Sequence, residues 1–329
     1  MGIKSLTQII KREAPDSIKH DNLYKLSGKK VAVDASLIIY QQLLRHQLLK
    51  NKNGEITNHI TGLFYKMVNY LSLNIEPIFV FDGKPPIQKK DCVDERKKKA
   101  QDAKDKMESC DTQEQKDNLE KSSLRLTKDM IDNVKKLLNL MGISYIHQDG
   151  EGEAIASELC RIGYVDYVLT EDMDSLVYGC PNLIRNCLDK SLKRKDIISI
   201  INYDIMKEKF GLNDEQFIKF CILCGCDFCP NVPKIGNTTA MKIIKQYDNI
   251  DDIILNYKDK YAFPENYKEL FNESYEIFTM YRDKINIDEL KISKSNKDIG
   301  KLIHFLVNDI EMNELRVQNG IKKIQNIYK

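Results

Sequence analysis

The chain has 329 residues, and its 51 basic and 49 acidic residues leave a net charge of only +2. That balance neither requires nor excludes a polyanionic partner, because what matters is how the charges are distributed over the surface. No apolar run reaches the roughly 20 residues that span a bilayer, and the start, MGIKSL, lacks the apolar region of a signal peptide. We therefore expect an intracellular protein that is neither secreted nor inserted into a membrane.

Three apolar runs with strand character each end in acidic residues. KKVAVDAS carries Asp34, EPIFVFDGKPP carries Asp82, and DYVLTEDMD carries Asp172 and Asp174. Helical patterns over residues 37–49, 60–73, 127–141 and 154–162 lie between the runs. Strands that alternate with helices predict an α/β fold with a mostly parallel, doubly wound sheet. Ligands of such sheets bind at the carboxyl ends of the strands, where these acids fall.

A fourth short run, GISYIHQ, leads into DGEGEAIASELC, which predicts a helix with Glu151 and Glu153 in its first turn. Before it, residues 87–126 are poor in apolar residues, and DERKKKAQDAKDK holds six basic and four acidic residues. Such a run is usually a solvated helix face. The alternative is a helical insertion above the sheet edge that offers Lys and Arg to phosphates.

The segment after Asp227 reads CPNVPKIGNTTAMKIIKQY, and it predicts a tight turn followed by a helix that Asn237 or Thr238 caps. Exposed amides at a helix start can bind a phosphate, although many such hairpins merely turn. The preceding CILCGCDFC holds four of the nine cysteines. No His lies nearby and the spacing is not that of two CxxC pairs, so small buried hydrophobes are favoured over a zinc or iron–sulfur site.

Seven carboxylates converge if the predicted sheet forms. They are Asp34, Asp82, Glu151, Glu153, Asp172, Asp174 and Asp227. Such a cluster stays ionised only if cations neutralise it, and oxygen ligands suit Mg²⁺ or Mn²⁺. Two such ions about 4 Å apart would serve phosphodiester hydrolysis. For any one acid, helix capping or a favourable place at a helix start is an equal alternative.

These motifs together resemble the flap endonuclease family of the structure-specific 5′-nuclease superfamily. The matching stretches are MGI, VAVDAS, VFDGKPP, LLNLMGISY, EGEAIAS, TEDMDSLVYG and CILCGCDF with the hairpin after it. They run in order from Met1 to about Tyr247, and weakly on to Ile324. The resemblance implies a PIN-like nuclease core, in which helices flank a mostly parallel twisted sheet. A helical cap insertion and a helix-hairpin-helix DNA-binding motif would complete it.

The resemblance implies a 5′ flap endonuclease with 5′–3′ exonuclease activity, which cuts DNA near a single-strand/double-strand junction by a two-metal-ion mechanism. All seven acids match the family's ligands for two Mg²⁺, for which Mn²⁺ can substitute. Lys89 and Arg96 match basic residues that contact the scissile phosphate. The expected catalytic residues are therefore Lys89, Arg96, Asp34 and Asp172.

Further DNA contacts are implied in the same way. Tyr40 matches an aromatic that stacks on a base, Arg125 and Lys128 lie in the cap, and Gly2 lies near the active site. Ile235 and Gly236 lie in the hairpin, where the family holds K⁺ against the duplex. That hairpin reads KIGNTTA here, whereas the family commonly has GIGPKRA. Lys234 and Lys242 are expected to offset the missing basic pair.

The expected domains are a nuclease half at 1–106 with the cap at about 87–132, a second half at 133–226, the hairpin region at 227–258 and a C-terminal helical segment at 259–329. The expected partner is DNA with a 5′ flap or nick, or an RNA-containing flap, bound by a monomer in the nucleus or at a cytoplasmic replication site. Without a QxxLxxFF motif, sliding-clamp binding is not expected. The alternatives are a sibling 5′–3′ exonuclease, a junction-resolving nuclease or, less favoured, a non-catalytic DNA-binding scaffold.

Overall fold

The computed structural model describes residues 3, 5–44, 47–107, 112–192, 196–293 and 296–325. The chain divides into two compact units, each built from three segments. Unit 1 comprises Met1–Lys25, Gly83–Lys90 and Asp149–Leu290. Unit 2 comprises Leu26–Asp82, Asp91–Gln148 and Lys291–Lys329.

Seven strands occur in the described residues. They are β1 (Ile18–Asn22), β2 (Lys30–Asp34), β3 (Glu76–Phe81), β4 (Tyr145–His147), β5 (Tyr167–Leu169), β6 (Asn182–Asn186) and β7 (Ile197–Asn202). In unit 2 the order is β2-β3-β4 and both pairs are parallel. In unit 1 the order is β1-β7-β6-β5, with β5 parallel to β6 and the other two pairs antiparallel.

The α/β fold predicted from the sequence is confirmed, with a mixture of parallel and antiparallel strands. The apolar runs that end in Asp34, Asp82 and the TEDMD acids form β2, β3 and β5. Strands β1, β6 and β7 were not predicted. The sequence of β1, IKHDN, has one apolar residue, because an edge strand that is partly exposed needs no continuous apolar run.

Fifteen α-helices occur in the described residues. They are α1 (Leu6–Glu13), α2 (Ala35–Leu43), α3 (Asn58–Ser72), α4 (Lys90–Met107), α5 (Gln113–Ser123), α6 (Lys128–Met141), α7 (Gly152–Arg161), α8 (Asp174–Val177), α9 (Tyr203–Phe210), α10 (Asp214–Cys224), α11 (Asn237–Gln246), α12 (Ile250–Tyr257), α13 (Tyr267–Thr279), α14 (Ile299–His304) and α15 (Glu314–Gln325). Short 3₁₀ turns cover Pro15–Ser17, Leu23–Leu26, Ile87–Lys89, Lys190–Leu192 and Ile287–Glu289, and a π-helical turn covers Phe305–Asp309.

The predicted helices agree with the observed ones to within about two residues, except at the C-terminal end of α2. The pattern over residues 37–49 extends past the end of α2 at Leu43, so the prediction was six residues too long there. The charged stretch from residue 87 onward forms α4 and α5, which are largely exposed, as both alternatives for that stretch required. No helix in the described part of the chain has the length and apolar character needed to cross a bilayer.

Each unit has its own apolar core. Phe64, Phe79 and Phe81 are fully buried in unit 2, and Phe217, Phe220 and Phe271 are fully buried in unit 1. Burying a side chain of this size contributes about 1.5–3 kcal/mol to stability. In β2, consecutive residues Val31, Ala32 and Val33 are all buried, as expected of a parallel strand covered on both faces. The buried strand, which pairs in parallel with β3, positions the acid at its carboxyl end.

Candidate metal centre

Three carboxylates from unit 1 come together at one point. The ligand oxygens of Glu153, Asp172 and Asp174 all lie within 4.8 Å of one another. Glu153 comes from the first turn of α7, while Asp172 and Asp174 follow β5. These acids are up to 21 residues apart in the sequence, and the fold brings their side chains together.

Hydrogen bonds to backbone amides fix the turn after β5. The hydroxyl Oγ1 of Thr170 accepts a hydrogen bond from the backbone N–H of Asp172 at 3.0 Å. Oδ1 of Asp172 then accepts one from the N–H of Asp174 at 3.2 Å. The N–H of Ile3 donates to Oδ1 of Asp174 at 3.0 Å, which ties the start of the chain to the site. These bonds orient the two aspartates before any ligand binds.

Burial makes negative charge unfavourable at this point. Asp172 and Asp174 are only 5 % and 4 % exposed. Burial, followed by the charges of Asp172 and Asp227, raises the pKa of Asp174 well above its usual range. Burial also raises the pKa of Asp172. A divalent cation would remove that penalty, so the all-oxygen donor set fits a hard ion such as Mg²⁺.

Lys89 extends the charge cluster to two further acids of unit 1. Its Nζ lies 2.5 Å from Oε2 of Glu151 and 3.9 Å from Oδ2 of Asp227, and 5.7 Å above the ring of Phe228. Burial alone would lower the pKa of Lys89, but the charges of Glu153, Glu151 and Asp227 raise it overall. The ammonium group therefore stays charged and offsets part of the negative charge.

Asp34 and Asp82 lie at the carboxyl ends of neighbouring parallel strands in unit 2. Asp34 is the last residue of β2 and pairs in register with Val80, whereas Asp82 directly follows β3. Asp34 is 7 % exposed and its Oδ1 accepts a hydrogen bond from the N–H of Leu37 at 3.0 Å. Asp34 therefore caps α2, as the helix-capping alternative predicted. Asp82 is exposed, whereas Asp34 is buried. Capping does not prevent a carboxylate from binding a metal as well.

Glu171, the first acid of the TEDMD motif, is not part of this acid group. Its Oε2 accepts hydrogen bonds from Nε and Nη2 of Arg185 at 3.2 and 3.0 Å, and its Oε1 accepts one from the N–H of Asn186 at 2.7 Å. This acid is neutralised by its own partner. Sequence reasoning did not include it among the seven.

The expected DNA contacts lie on several different elements. Tyr40 is half-buried in α2, Arg96 is exposed on α4, Arg125 is half-buried just before α6, Lys128 is exposed at the start of α6, and Lys242 is exposed on α11. In the hairpin, Lys234 and Gly236 are exposed and Ile235 is buried. Lys234 adopts φ 68° where the family pattern has Gly. Gly2 lies outside the described residues.

Sequence reasoning missed several groups that support the site. They are Ile3 and Thr170, described above, and Tyr178, which is buried. The pKa of Tyr178 is raised well above its usual range by burial and by the charges of Glu151, Glu153 and Asp174. The phenol beside the acids therefore stays neutral. The signals were the MGI start and the TEDMDSLVYG motif, whose apolar and hydroxyl residues received no role.

The cysteine-rich segment holds buried thiols. Cys221, Cys224 and Cys229 are buried, and Cys226 is half-buried. Burial raises the pKa of each of these four thiols, which keeps them protonated. Among the described residues, the group of side chains that could hold a metal ion consists of Glu153, Asp172 and Asp174, and none of these four cysteines belongs to it. This agrees with the prediction of small buried hydrophobes.

Comparison with known proteins identifies the family. The XPG N-terminal domain matches residues 1–103, and the XPG I-region matches residues 142–227. Flap endonuclease 1-A of Sorghum bicolor is 37% identical over 336 residues, covering 99% of this chain and 87% of that protein. Flap endonuclease 1 of Candida albicans is 38% identical, covering 99% and 89%.

Solved structures agree with this assignment. Flap endonuclease-1 from Methanococcus jannaschii is 30% identical with a TM-score of 0.69, covering 94% of this chain and 96% of that one. The catalytic core of Rad2 in complex with DNA substrate has a TM-score of 0.70 at 22% identity, covering 98% and 100%, and shows the shared fold. The chain thus belongs to the flap endonuclease family, and it is a structure-specific 5′ flap endonuclease.

Proposed function

We propose that this enzyme hydrolyses one phosphodiester near the junction of flapped DNA with two Mg²⁺ ions, for which Mn²⁺ can substitute. The observation that carries the proposal is the group of the half-buried Glu153 and the buried Asp172 and Asp174, whose ligand oxygens lie within 4.8 Å of one another. Two of these carboxyls have raised pKa values, chiefly because of burial. Acids arranged in this way are tolerated in a core when cations offset their charge.

The proposed metal ligands are the seven acids. They are Asp34, Asp82, Glu151, Glu153, Asp172, Asp174 and Asp227. Ions bound there supply a more acidic water and stabilise charge on the leaving oxygen. Lys89 would neutralise the acids in the metal-free enzyme and contact the scissile phosphate when DNA is bound. Arg96 would be a second phosphate contact.

The proposed DNA contacts are mainly to phosphates, so that shape rather than base sequence selects the substrate. Tyr40 would stack on a base beside the cut, while Arg125 and Lys128 would bind the 5′ strand. Buried Ile235 would hold the hairpin in shape. Lys234, Gly236 and Lys242 would bind the duplex backbone there, with K⁺ at the hairpin.

The expected domain ranges follow from these roles and remain part of the proposal. Residues 1–106 and 133–226 would form the nuclease halves, with the cap at about 87–132. Residues 227–258 would grip the duplex, and 259–329 would pack on the core. A monomer acting on 5′ flaps or nicks, including RNA-containing flaps, would work in replication and repair, in the nucleus or at a cytoplasmic replication site.

A labelled double-flap DNA provides the test, with and without Mg²⁺, for the wild type and Asp172→Asn. We expect Mg²⁺-dependent cutting by the wild type and a loss of at least about 10³-fold in the variant, because a metal ligand is lost. Flap binding in Ca²⁺ should be unchanged. Asp204→Asn is the control, since the side chain of Asp204 is 81% exposed.

Retained cutting by Asp172→Asn would contradict the metal assignment. A panel of flap, nicked, bubble and four-way-junction DNA separates flap cutting from the sibling activities. We expect the flap to be cut fastest. Faster cutting of the junction would favour a resolving nuclease, and metal-dependent cutting of any of these substrates would exclude a non-catalytic scaffold.

A further inference from the structure

Three successive residues after α13 are each anchored to other parts of unit 1. We call Tyr281, Arg282 and Asp283 the C-terminal strap. The hydroxyl of Tyr281 donates to the carbonyl oxygen of Asp149 at 3.3 Å, and Nη2 of Arg282 donates to Oδ2 of Asp214 at 2.6 Å. The N–H of Asp283 donates to Oε1 of Glu158 at 3.0 Å. Such a run of anchors fixes the strap against the nuclease core.

Glu158 connects the strap to the middle of α7. This carboxylate is only 2 % exposed. It accepts two hydrogen bonds from Arg161, each at 2.7 Å, and Arg161 also pairs with Asp283. Buried carboxylates are retained where they are fully paired. The strap is therefore bound to α7, the helix whose first turn carries Glu153.

Tyr281 contacts the turn that immediately precedes the N-terminus of α7. Gly150 has φ 110°, and a Cβ placed on it would lie 1.6 Å from the Tyr281 hydroxyl oxygen. The hydroxyl thus packs directly on the backbone of Gly150. The carbonyl of Gly150 in turn accepts a hydrogen bond from the N–H of Gly83 at 2.9 Å. Glu151, the residue after this turn, contacts Lys89 at 2.5 Å.

We propose that the strap is a positioning element for the metal centre, in which Tyr281 fixes the Asp149–Gly150 turn and thereby aims Glu151 and Glu153 at the ions. The inference rests on the proposed function of these acids. Metal ligands must be held to within about 0.5 Å, and they depend on neighbouring groups for that precision. Loss of such a supporting contact typically weakens metal binding about 10–100-fold.

The test measures metal binding without DNA, as the rise in Tm when Mn²⁺ or Mg²⁺ is added to the metal-free protein. Tyr281→Phe keeps the ring and removes one hydroxyl. We expect the Mn²⁺ concentration for half of the full Tm shift to rise about tenfold, with little change in the metal-free Tm. Tyr257→Phe is the matched control, because that hydroxyl bonds only the side chain of Gln246 at 3.4 Å among the described contacts.

A second pair of variants tests the turn itself. Gly150→Ala brings both a left-handed φ and a collision with Tyr281, whereas Gly163→Ala has a φ of 75° with nothing within 4 Å of the new Cβ. We expect Gly163→Ala to lower only the Tm. Gly150→Ala should also raise the Mn²⁺ half-point by at least about tenfold, and adding Tyr281→Ala should not restore it.

The outcomes distinguish a failure of the role proposed for the strap from a failure of the proposed metal centre. If the wild type responds to Mn²⁺ and both Tyr281→Phe and Gly150→Ala respond at the same concentration, the strap is merely structural and this inference is overturned. If the wild type shows no metal-dependent Tm shift and no Mg²⁺-dependent cutting, the proposed metal centre fails, and the inference fails with it.

Discussion

Asp174 is a residue at which function opposes stability. It is 4 % exposed and lies beside Asp172, and burial raises its pKa well above the ordinary value of 3.8. A carboxyl with a raised pKa stabilises the folded state below its unfolded pKa and loses that contribution as pH rises through the folded pKa. At neutral pH the metal-free enzyme therefore carries a cost that bound cations would remove.

We expect Asp174→Asn to stabilise the metal-free protein at pH 7 by about 1–2 kcal/mol, because a neutral amide avoids the cost of either burying an ionised carboxylate or protonating it on folding. The amide oxygen of Asn can still accept the hydrogen bond from Ile3. Thermal unfolding in EDTA measures this effect, and it should shrink toward pH 4. Cleavage in Mg²⁺ should fall by at least about 10³-fold. A lower Tm in EDTA would contradict the argument.

Lys89 differs from the other lysines near it because it lies among the acids. Lys89→Ala should slow single-turnover cleavage about 100-fold, since a positive charge near the developing phosphate charge is lost. Flap affinity in Ca²⁺ should change less than about threefold. Lys84→Ala, an exposed change in the same segment, is the control and should leave the rate unchanged. A loss of affinity without a loss of rate would assign Lys89 to substrate binding instead.

The turn that joins α10 to Asp227 shows how an element places a ligand. Gly225 ends α10 with φ 97°, and a Cβ there would lie 2.9 Å from the backbone nitrogen of Asn231. The N–H of Cys226 then donates to the carbonyl of Cys229 at 2.9 Å, which closes the loop that carries Asp227. The position of Asp227 thus depends on a backbone approach that only glycine permits.

Gly225→Ala should destabilise the protein by about 2–3 kcal/mol, because the backbone must move as well as adopt a strained φ. The displaced Asp227 should also raise the Mg²⁺ concentration needed for half-maximal cleavage about tenfold. Urea unfolding and a Mg²⁺ titration of cleavage measure the two effects. Gly163→Ala, with strain but open space, should cost about 1 kcal/mol and leave the Mg²⁺ dependence unchanged. Equal effects of both substitutions would rule out the close approach as the cause.

At the scale of the whole molecule, one buried histidine of α3 is expected to lower stability at acid pH. His59 is 2 % exposed, and neither ring nitrogen has a hydrogen-bond partner among the described residues. Burial lowers its pKa from 6.5 to about 4. A group with a depressed pKa contributes stability that is complete above its unfolded pKa and is lost as pH falls toward the folded pKa.

We therefore expect the free energy of unfolding to drop by about 2–3 kcal/mol between pH 7 and pH 4.5 on account of His59. His59→Met, which replaces the imidazole with an apolar side chain of similar length that does not titrate, should flatten this part of the pH profile. Urea unfolding in EDTA at several pH values measures it, with His304→Gln as a control on a less buried histidine. An unchanged profile in His59→Met would show that other groups govern acid unfolding.

The sequence by itself determined the α/β fold, the strands β2, β3 and β5, and the seven candidate acids, because apolar runs and their terminal acids are local signals. It could not locate β1, whose edge position needs no apolar pattern, or the early end of α2. Only the tertiary structure decided that Glu153, Asp172 and Asp174 share one point, that Glu171 pairs with Arg185, and that Tyr281 packs on Gly150. Contacts between residues far apart in sequence depend on how the elements pack together, and no local pattern of residues records that packing.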